Sequence, residues 1–252
     1  MPLTQLKPGR NAEAAKIDDT GLRKPILATI EAFAANAPRS LQRAVGPSQV
    51  GTPCARQLAF AVSDRGGTRN FHDAWPSIVG TACHAWLADA FDWANTITPG
   101  TWLTEQRVDV GFGLRGSSDV FHVPSGTVID WKVLGDTQYR KYVTEGVEGT
   151  TYEVQTHCYG LGFMRAGYVV NRVAIAFFGR AKSLHDLHIW SAPFNPDIAL
   201  RALDRMRTIQ RVIASGADPM RITETPGSHC FFCTARSAND GKDGYCCPKG
   251  KS

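Results

Sequence analysis

The chain has 252 residues, of which 43% are hydrophobic and 20% are charged. This composition excludes a disordered chain and is sufficient for one sizeable core with a small appendage. The net charge of +5 is compatible with a polyanionic partner but does not require one. No apolar run approaches the length of a membrane span, and Met1 to Asp19 contain no apolar segment typical of a signal peptide. We therefore expect a cytoplasmic protein without membrane attachment.

The N-terminal part of the chain predicts a polar arm followed by helices. Residues 1–20 are polar and aperiodic, which indicates a mobile arm. Helical spacing of apolar residues predicts a first helix over Leu22–Ala35 and a second that starts near Ser48 or Thr52 and carries Cys54. A third helix is predicted over Pro76–Trp93. Its expected buried face consists of Ile78, Val79, Ala82, Trp86, Leu87, Ala90 and Phe91.

The period then changes to that of strands, with helices between and after them. Strands are predicted over Trp102–Val110, Leu114–Val123, Gly126–Leu134, Val169–Phe178 and Leu187–Ala192. Helices are predicted over Asp136–Glu145, over Thr151–Arg165, and from an N-cap at Asn195 through Ala214. This order predicts an α/β or α+β core with a mixed sheet of about five strands.

Two acids and a lysine form the most informative motif of the chain. Asp130 and Lys132 are two residues apart in a predicted strand, so they share one face while Trp131 takes the other. Asp119, on the preceding strand, adds a second carboxylate, and Gly116 before it permits close approach of another backbone or a ligand. The neighbouring residues are apolar. Charged residues inside a sheet are costly unless they are paired or bind a cation.

This motif has the composition of a phosphodiester-hydrolysing site. Two carboxylates suffice to anchor a Mg²⁺ or Mn²⁺ ion that keeps several waters. Such an ion offsets the negative charge of the transition state and lowers the pKa of a coordinated water. Lys132 would orient that water or stabilise the charged phosphate.

Four further residues can join this site or have structural roles. His84 can complete a mixed nitrogen and oxygen site, or it is a hydrogen-bonded core or surface histidine. Gln155 and Tyr159 share one helix face and can contact a phosphate or a base, although such pairs are commonly structural. Glu105 can be an additional acid, but a solvated glutamate at a strand end is the simpler interpretation.

The seven cysteines, in a reducing compartment, favour metal binding over disulfides. One interpretation is a local zinc knuckle, although adjacent cysteines rarely both bind one ion. Its ligands would be Cys230, Cys233, Cys246 and Cys247, with His229 as a further candidate. The other is a [4Fe–4S] cluster that takes its fourth thiolate from the distant Cys54. Cys83 and Cys158 lie in apolar helical stretches and are predicted to be packing residues.

The order of these motifs resembles that of the RecB-like branch of the PD-(D/E)xK nucleases. More narrowly, it resembles the CRISPR-associated iron–sulfur exonucleases, the "Cas-four" family, and their phage-encoded relatives, and AddB-type nuclease domains share the split cysteine pattern. The resemblance spans Ser48 to Pro248. It implies a restriction-endonuclease-like core over residues 76–217. It also implies an iron–sulfur subdomain formed by a helical segment at 21–75 and a cysteine-rich segment at 218–252.

The resemblance also implies a role for each matching residue. His84, Asp119 and Asp130 would bind Mn²⁺ or Mg²⁺ together with the backbone carbonyl of Trp131, and Lys132 would assist the attacking water. Gln155 and Tyr159 would contact DNA or orient the site, and we expect Arg56 to contact the DNA backbone. The cluster ligands would be Cys54, Cys230, Cys233 and Cys247, with Cys246 as the alternate because Cys247 precedes a proline. The chain departs from the family in having Asp130 where glutamate is common, and in a longer gap between Cys233 and Cys247.

We therefore predict a metal-dependent DNA exonuclease that acts on single strands or DNA ends and contains a structural [4Fe–4S] cluster. Its partners would be DNA and, beyond that, further copies of itself or proteins of recombination or CRISPR adaptation, in a bacterial or phage-infected cell. The alternative is a non-catalytic DNA-binding or CRISPR-adaptation partner with the same fold. A zinc-ribbon module leaves the acids and Lys132 unexplained.

Overall fold

The computed structural model describes residues 21–36, 44–63, 73–223 and 225. The chain divides into two units, Met1–Gln42 and Arg43–Ser252. The predicted arm and the C-terminal cysteines, with His229, lie outside the described residues, and so does the iron–sulfur subdomain built from those cysteines. No helix among the described residues is long and apolar enough to cross a membrane.

The described helices and strands follow one another in the predicted order. The helices are α1 (Arg23–Asn36), α2 (Pro47–Val50), α3 (Ala55–Val62), α4 (Trp75–Ile97), α5 (Asp136–Glu145), α6 (Thr151–Arg165) and α7 (Pro196–Ala214). The strands are β1 (Trp102–Gly111), β2 (Leu114–His122), β3 (Thr127–Leu134), β4 (Arg172–Gly179) and β5 (His188–Pro193). Helix α1 belongs to the first unit and buries none of its side chains.

The five strands form one mixed sheet in the order β1-β2-β3-β4-β5. Strands β1, β2 and β3 form an antiparallel meander, β3 and β4 are parallel, and β4 and β5 are antiparallel. A parallel pair needs a long crossover connection, which α5 and α6 provide here. The prediction of an α/β fold with a mixed five-stranded sheet flanked by helices is confirmed.

Helices cover both faces of the sheet. On one face, α6 lies close to the strands: Phe121 of β2 stacks on Phe163 with ring centroids 4.4 Å apart. Gly162 of α6 is required there, because a Cβ atom would lie 2.7 Å from Cβ of Val108. On the other face, α4 packs over Trp131. The alternation of residues along β3 predicted that Trp131 lies on the face opposite Asp130 and Lys132. The apolar cluster around Trp131 includes Val120 and Ala176 of the sheet and Leu87 and Phe91 of α4.

Two details of the predicted helices are wrong. The second helix divides into α2 and α3, and Cys54 is the N-cap residue of α3 rather than part of a helix. Pro53 explains the break, because a proline disfavours helical geometry in the residue before it. In α4, Ala82 and Trp86 are exposed, Trp86 to 68%, and do not face the sheet. The helix is apolar on more than one side, so its sequence pattern did not specify which side is buried.

Candidate active site

The two predicted acids lie at the point where β2 and β3 separate. The antiparallel ladder between these strands ends at Val120 and Ile129. The next residue on each strand is Asp119 and Asp130, respectively. Oδ2 of Asp119 accepts the backbone N–H of Trp131 at 2.7 Å, so a side chain supplies the partner that the ladder no longer provides. The opening in the sheet therefore brings the two carboxyl groups onto neighbouring strands at one level.

Glu105 adds a third carboxylate on the other side of Asp119. Thr104 and Gln106 both pair with β2, but Glu105, between them and opposite Asp119, takes no part in the pairing of the described strands. Its φ of +46° is rare for a residue with a side chain, and such conformations cluster at functional sites. Oε2 of Glu105 accepts a hydrogen bond from Ser117 at 2.8 Å. Glu105 is exposed to solvent, as the sequence predicted. Its alignment with Asp119 depends on the register of the sheet, which the sequence alone does not specify.

His84 reaches this row of acids from α4. Its Nδ1 lies 3.2 Å from Oδ1 of Asp119. Burial lowers the pKa of His84, but the hydrogen bond to Asp119 and the charges of Asp119 and Asp130 outweigh it, so the pKa is raised on balance. One ligand atom from each of His84, Glu105 and Asp119 lies within 4.8 Å of the others. This geometry is compatible with a shared cation.

Asp130 is a charged group in an interior position. It is 2% exposed, its Oδ1 accepts a hydrogen bond from Gln155 Nε2 at 3.0 Å, and its Oδ2 forms an ion pair with the ammonium of Lys132. Burial, opposed by Lys132 and reinforced by Asp119, raises the pKa of Asp130 to about 6. A cation bound beside Asp130 would therefore stabilise its charged form.

Helix α6 places Gln155 and Tyr159 beside the acids. Gln155 Nε2 also donates to the hydroxyl oxygen of Tyr159 at 3.2 Å, and both residues are 6% exposed. Gly116 permits this approach, since a Cβ atom there would lie 2.7 Å from Pro47 and 3.1 Å from the Tyr159 ring. Of the two roles expected for this pair, orientation of Asp130 is the one that the geometry favours, and contact with DNA stays a prediction.

The donor atoms of this site fit a hard divalent cation. The carboxylates of Glu105 and Asp119 lie close to one imidazole, and Asp130 adds a carboxylate on the neighbouring strand. Oxygen donors with a single imidazole suit Mg²⁺ or Mn²⁺. The three acids outnumber the neighbouring ammonium of Lys132, so these groups carry excess negative charge. The buried Oδ2 of Asp130 contacts the ammonium of Lys132 and can share its charge with a cation. The residues therefore fit the expected metal.

Cys54 and Arg56 lie apart from this site. They contact the described residues near the C-terminal end of the chain. Sγ of Cys54, which is buried, accepts the N–H of Thr225 at 3.4 Å. Arg56 is also buried, and its Nε donates to the carbonyl oxygen of Ile222 at 2.8 Å. Arg56 thus anchors the C-terminal segment, while its expected contact with DNA stays a prediction. Thr225 precedes Cys230 by five residues in the sequence.

The backbone strain at Glu105 leads to a first prediction. We expect Glu105→Gly to increase the stability of the metal-free protein by about 1 kcal/mol, because glycine adopts positive φ at little cost. The same change should weaken Mn²⁺ binding, since it removes a carboxylate. Thermal unfolding and calorimetric titration measure the two effects. The matched control is Glu105→Gln, which should weaken Mn²⁺ binding without the gain in stability. A loss of stability in Glu105→Gly would contradict the interpretation that Glu105 is a metal ligand with a strained backbone.

The raised pKa values at the site predict a pH-dependent affinity for metal. Asp130 must be ionised and His84 neutral to bind a cation, so protonation of either competes with the metal. With the pKa of Asp130 at about 6, we expect the affinity for Mn²⁺ to fall about tenfold or more between pH 7.5 and pH 5. Calorimetric titration across this range tests the prediction. A constant affinity down to pH 5 would show that these groups do not bind the ion.

No protein-family model and no curated protein matches the chain. Among solved structures, the chain is similar to an alkaline exonuclease from Laribacter hongkongensis, with a TM-score of 0.48, 10% identity, and coverage of 69% of this chain and 89% of the exonuclease. The complex of that exonuclease with dAMP gives a TM-score of 0.48 at 14% identity, with coverage of 74% and 93%. A phage-related exonuclease from Haemophilus somnus 129PT gives 0.45 at 14% identity, with coverage of 65% and 82%. Because these TM-scores lie below 0.5, we base the function on the geometry of the site.

Proposed function

We propose that the chain is a divalent-metal-dependent nuclease that hydrolyses phosphodiester bonds of DNA. The observation that carries this proposal is the set of three acids near the opening between β2 and β3: Glu105 on β1, Asp119 on β2 and Asp130 on β3. Lys132 lies beside them. Glu105, Asp119, Asp130 and His84 would hold Mg²⁺ or Mn²⁺. When bound, this ion supplies charge stabilisation and a coordinated water of lowered pKa.

The protein groups around the acids have separable tasks. Gln155 fixes one carboxylate oxygen of Asp130 through its hydrogen bond, which leaves the other oxygen for the cation and for Lys132. The ammonium of Lys132, 14% exposed, can donate to the attacking water or to a phosphate oxygen. Asp119 is held by the N–H of Trp131 and by His84. These contacts fix the ligands before substrate arrives, which reduces reorganisation during the reaction.

A purely structural ion pair does not explain this site. One buried carboxylate and one lysine would balance each other, but the site also holds the buried Asp119 and the exposed Glu105. Excess buried charge of one sign is costly unless it is paired or bound to a metal. A metal-binding function explains both this excess and the strained backbone of Glu105.

DNA as the substrate, and cleavage from ends or of single strands, are proposed from the resemblance of the motifs. The net charge of +5 is compatible with a polyanionic substrate.

The experiment that tests DNA hydrolysis uses linear single- and double-stranded DNA labelled at the 5′ or the 3′ end, and closed circular DNA of the same sequence. Each substrate is incubated with Mg²⁺, Mn²⁺ or EDTA. An exonuclease degrades the linear DNA in the presence of metal and leaves the circles intact. Nicked circles would indicate an endonuclease, and intact DNA in every lane would contradict hydrolysis.

We also propose a structural [4Fe–4S] cluster held by Cys54, Cys230, Cys233 and Cys247, with Cys246 as the alternate ligand. The position of Cys54 supports this proposal, because its buried sulfur contacts Thr225, shortly before the cysteine-rich segment. Anaerobic purification should give a coloured protein with about four iron atoms per chain, and Cys54→Ser should lose them. A colourless protein that contains zinc would contradict the cluster.

A further inference from the structure

The ammonium of Lys132 has an aromatic partner in addition to Asp130. Tyr152 lies in the first turn of α6, and the centroid of its ring is 4.9 Å from Nζ of Lys132. A cation at this distance from a ring face is attracted by the electron density of the ring, more strongly where water is excluded. The ammonium is therefore held by a carboxylate on its own strand and by a ring on a helix.

The same face of α6 that orients Asp130 presents this ring. Tyr152, Gln155 and Tyr159 are spaced by three and four residues, so they lie along one side of the helix. Gln155 contacts Asp130 and Tyr152 contacts Lys132. One rigid element thus contacts both charged partners of the ion pair.

Neighbouring rings fix the position of the Tyr152 ring. Tyr142 of α5 lies 5.1 Å from it between centroids, and Tyr142 in turn stacks on Phe177 of β4 at 5.4 Å with an interplanar angle of 7°. The backbone N–H of Tyr152 donates to the side chain of the N-cap residue Thr150. Rings from a second helix and a strand therefore restrict the orientation of Tyr152. A ring held in this way can serve as a fixed surface for a flexible lysine.

The ring remains neutral under all conditions of interest. Burial, together with the charge of Asp130, raises the pKa of Tyr152 to about 12. The ammonium therefore faces an uncharged ring and not a phenolate. This matters once a cation binds the acids: Asp130 then shares its charge with the metal, while the contact with the ring is unaffected.

We propose that Tyr152 is a positioning residue for the reaction, whose ring holds the ammonium of Lys132 at the site through a cation–π contact. The proposal rests on the proposed nuclease function. A lysine has four rotatable bonds, and without the ring its ammonium would sample more positions once the carboxylate is shared with the metal. The effect should appear in the rate of the chemical step and not in the binding of DNA.

A fluorine series tests this contact. Tyr152 is replaced by phenylalanine and by phenylalanines with one, two and three ring fluorines, which withdraw electron density from the ring face with little change in shape. We expect the phenylalanine variant to have near-native activity. Across the series kcat should fall stepwise, by about tenfold in total, with constant KM for DNA and constant melting temperature.

The control is the same series at Tyr142, whose ring belongs to the same aromatic cluster but is paired with Lys141 rather than Lys132. Because ring fluorines hardly change the shape with which Tyr142 packs against Tyr152, that series should leave kcat unchanged. A flat kcat across the Tyr152 series, in a protein that hydrolyses DNA, would overturn the positioning role and leave the proposed function intact.

Crystal structures of the Tyr152→Phe and Tyr152→Leu variants, grown with Mn²⁺, give a readout that does not depend on activity. The ammonium of Lys132 should keep its place in the first variant and become displaced or disordered in the second. An unchanged Lys132 in Tyr152→Leu would overturn the proposal even in a protein that hydrolyses no DNA.

Discussion

Replacing Asp130 by asparagine is expected to reduce metal-dependent DNA hydrolysis by about 1,000-fold or more, the scale at which loss of a central charge-stabilising group acts. Asparagine keeps the volume of the side chain and an oxygen that can accept the hydrogen bond of Gln155. It removes the negative charge that the cation requires. Initial rates on end-labelled DNA at saturating Mn²⁺ measure the effect.

The same variant should separate function from stability. The pKa of Asp130 is about 6, above its ordinary value of 3.8, so the fold favours the neutral form and the charged form lowers stability above pH 6. Metal-free Asp130→Asn should therefore be more stable than the native chain at pH 7.5, and this advantage should shrink as the pH falls from 6 towards 4. Mn²⁺ should raise the melting temperature of the native chain far more than that of the variant.

Asp109→Asn is the matched control for Asp130→Asn. Asp109 lies on β1 of the same sheet, but it is exposed and pairs with Arg115 at the surface. The control should keep full activity and the full response to Mn²⁺. Native-like hydrolysis by Asp130→Asn would contradict its assignment as a ligand.

Replacing Lys132 by methionine is expected to reduce hydrolysis by about 100-fold or more while Mn²⁺ binding is retained. Methionine keeps an unbranched side chain of similar length, but it has no ammonium and cannot donate to a water or a phosphate oxygen. All the proposed metal ligands remain. Single-turnover rates and calorimetric titration of Mn²⁺ measure the two properties separately.

Lys141→Met is the control for Lys132→Met, since Lys141 is an exposed lysine on α5. It should leave both hydrolysis and Mn²⁺ binding unchanged. If Lys132→Met hydrolysed DNA at the native rate, the ammonium would have only a structural role. If it lost Mn²⁺ binding as well, its effect would arise from disruption of the metal site.

The sequence predicted the helices after the third strand well because their ends carry strong local signals. The predicted bounds of α5 and α6 match the structure, and α7 begins directly after Asn195, whose side chain accepts the N–H of Asp197. An N-cap of this kind depends on residues close in sequence. Helix α4 has no such signal for its orientation, and the exposed Trp86 was wrongly expected to be buried.

The candidate site was predictable only in part. The shared face of Asp130 and Lys132 follows from the two-residue period of a strand, and the close approach at Gly116 follows from the missing side chain. Glu105 and Tyr152 could not be placed, because their positions depend on the register between β1 and β2 and on how α6 packs against the sheet. Both are non-local properties. The cysteine-rich segment beyond residue 225 lies outside the described residues, so the predicted cluster ligands there stay predictions.

The central claim is that the opening between β2 and β3 binds a divalent cation. Anomalous diffraction from crystals grown with Mn²⁺ at pH 7.5 tests it most directly. We expect a manganese peak within bonding distance of Asp119 and Asp130, with His84 or Glu105 completing the protein ligands, and no such peak in crystals of Asp130→Asn. If the native protein showed no manganese between these acids, with only the ammonium of Lys132 to compensate their charge, the claim of a cation site would be contradicted.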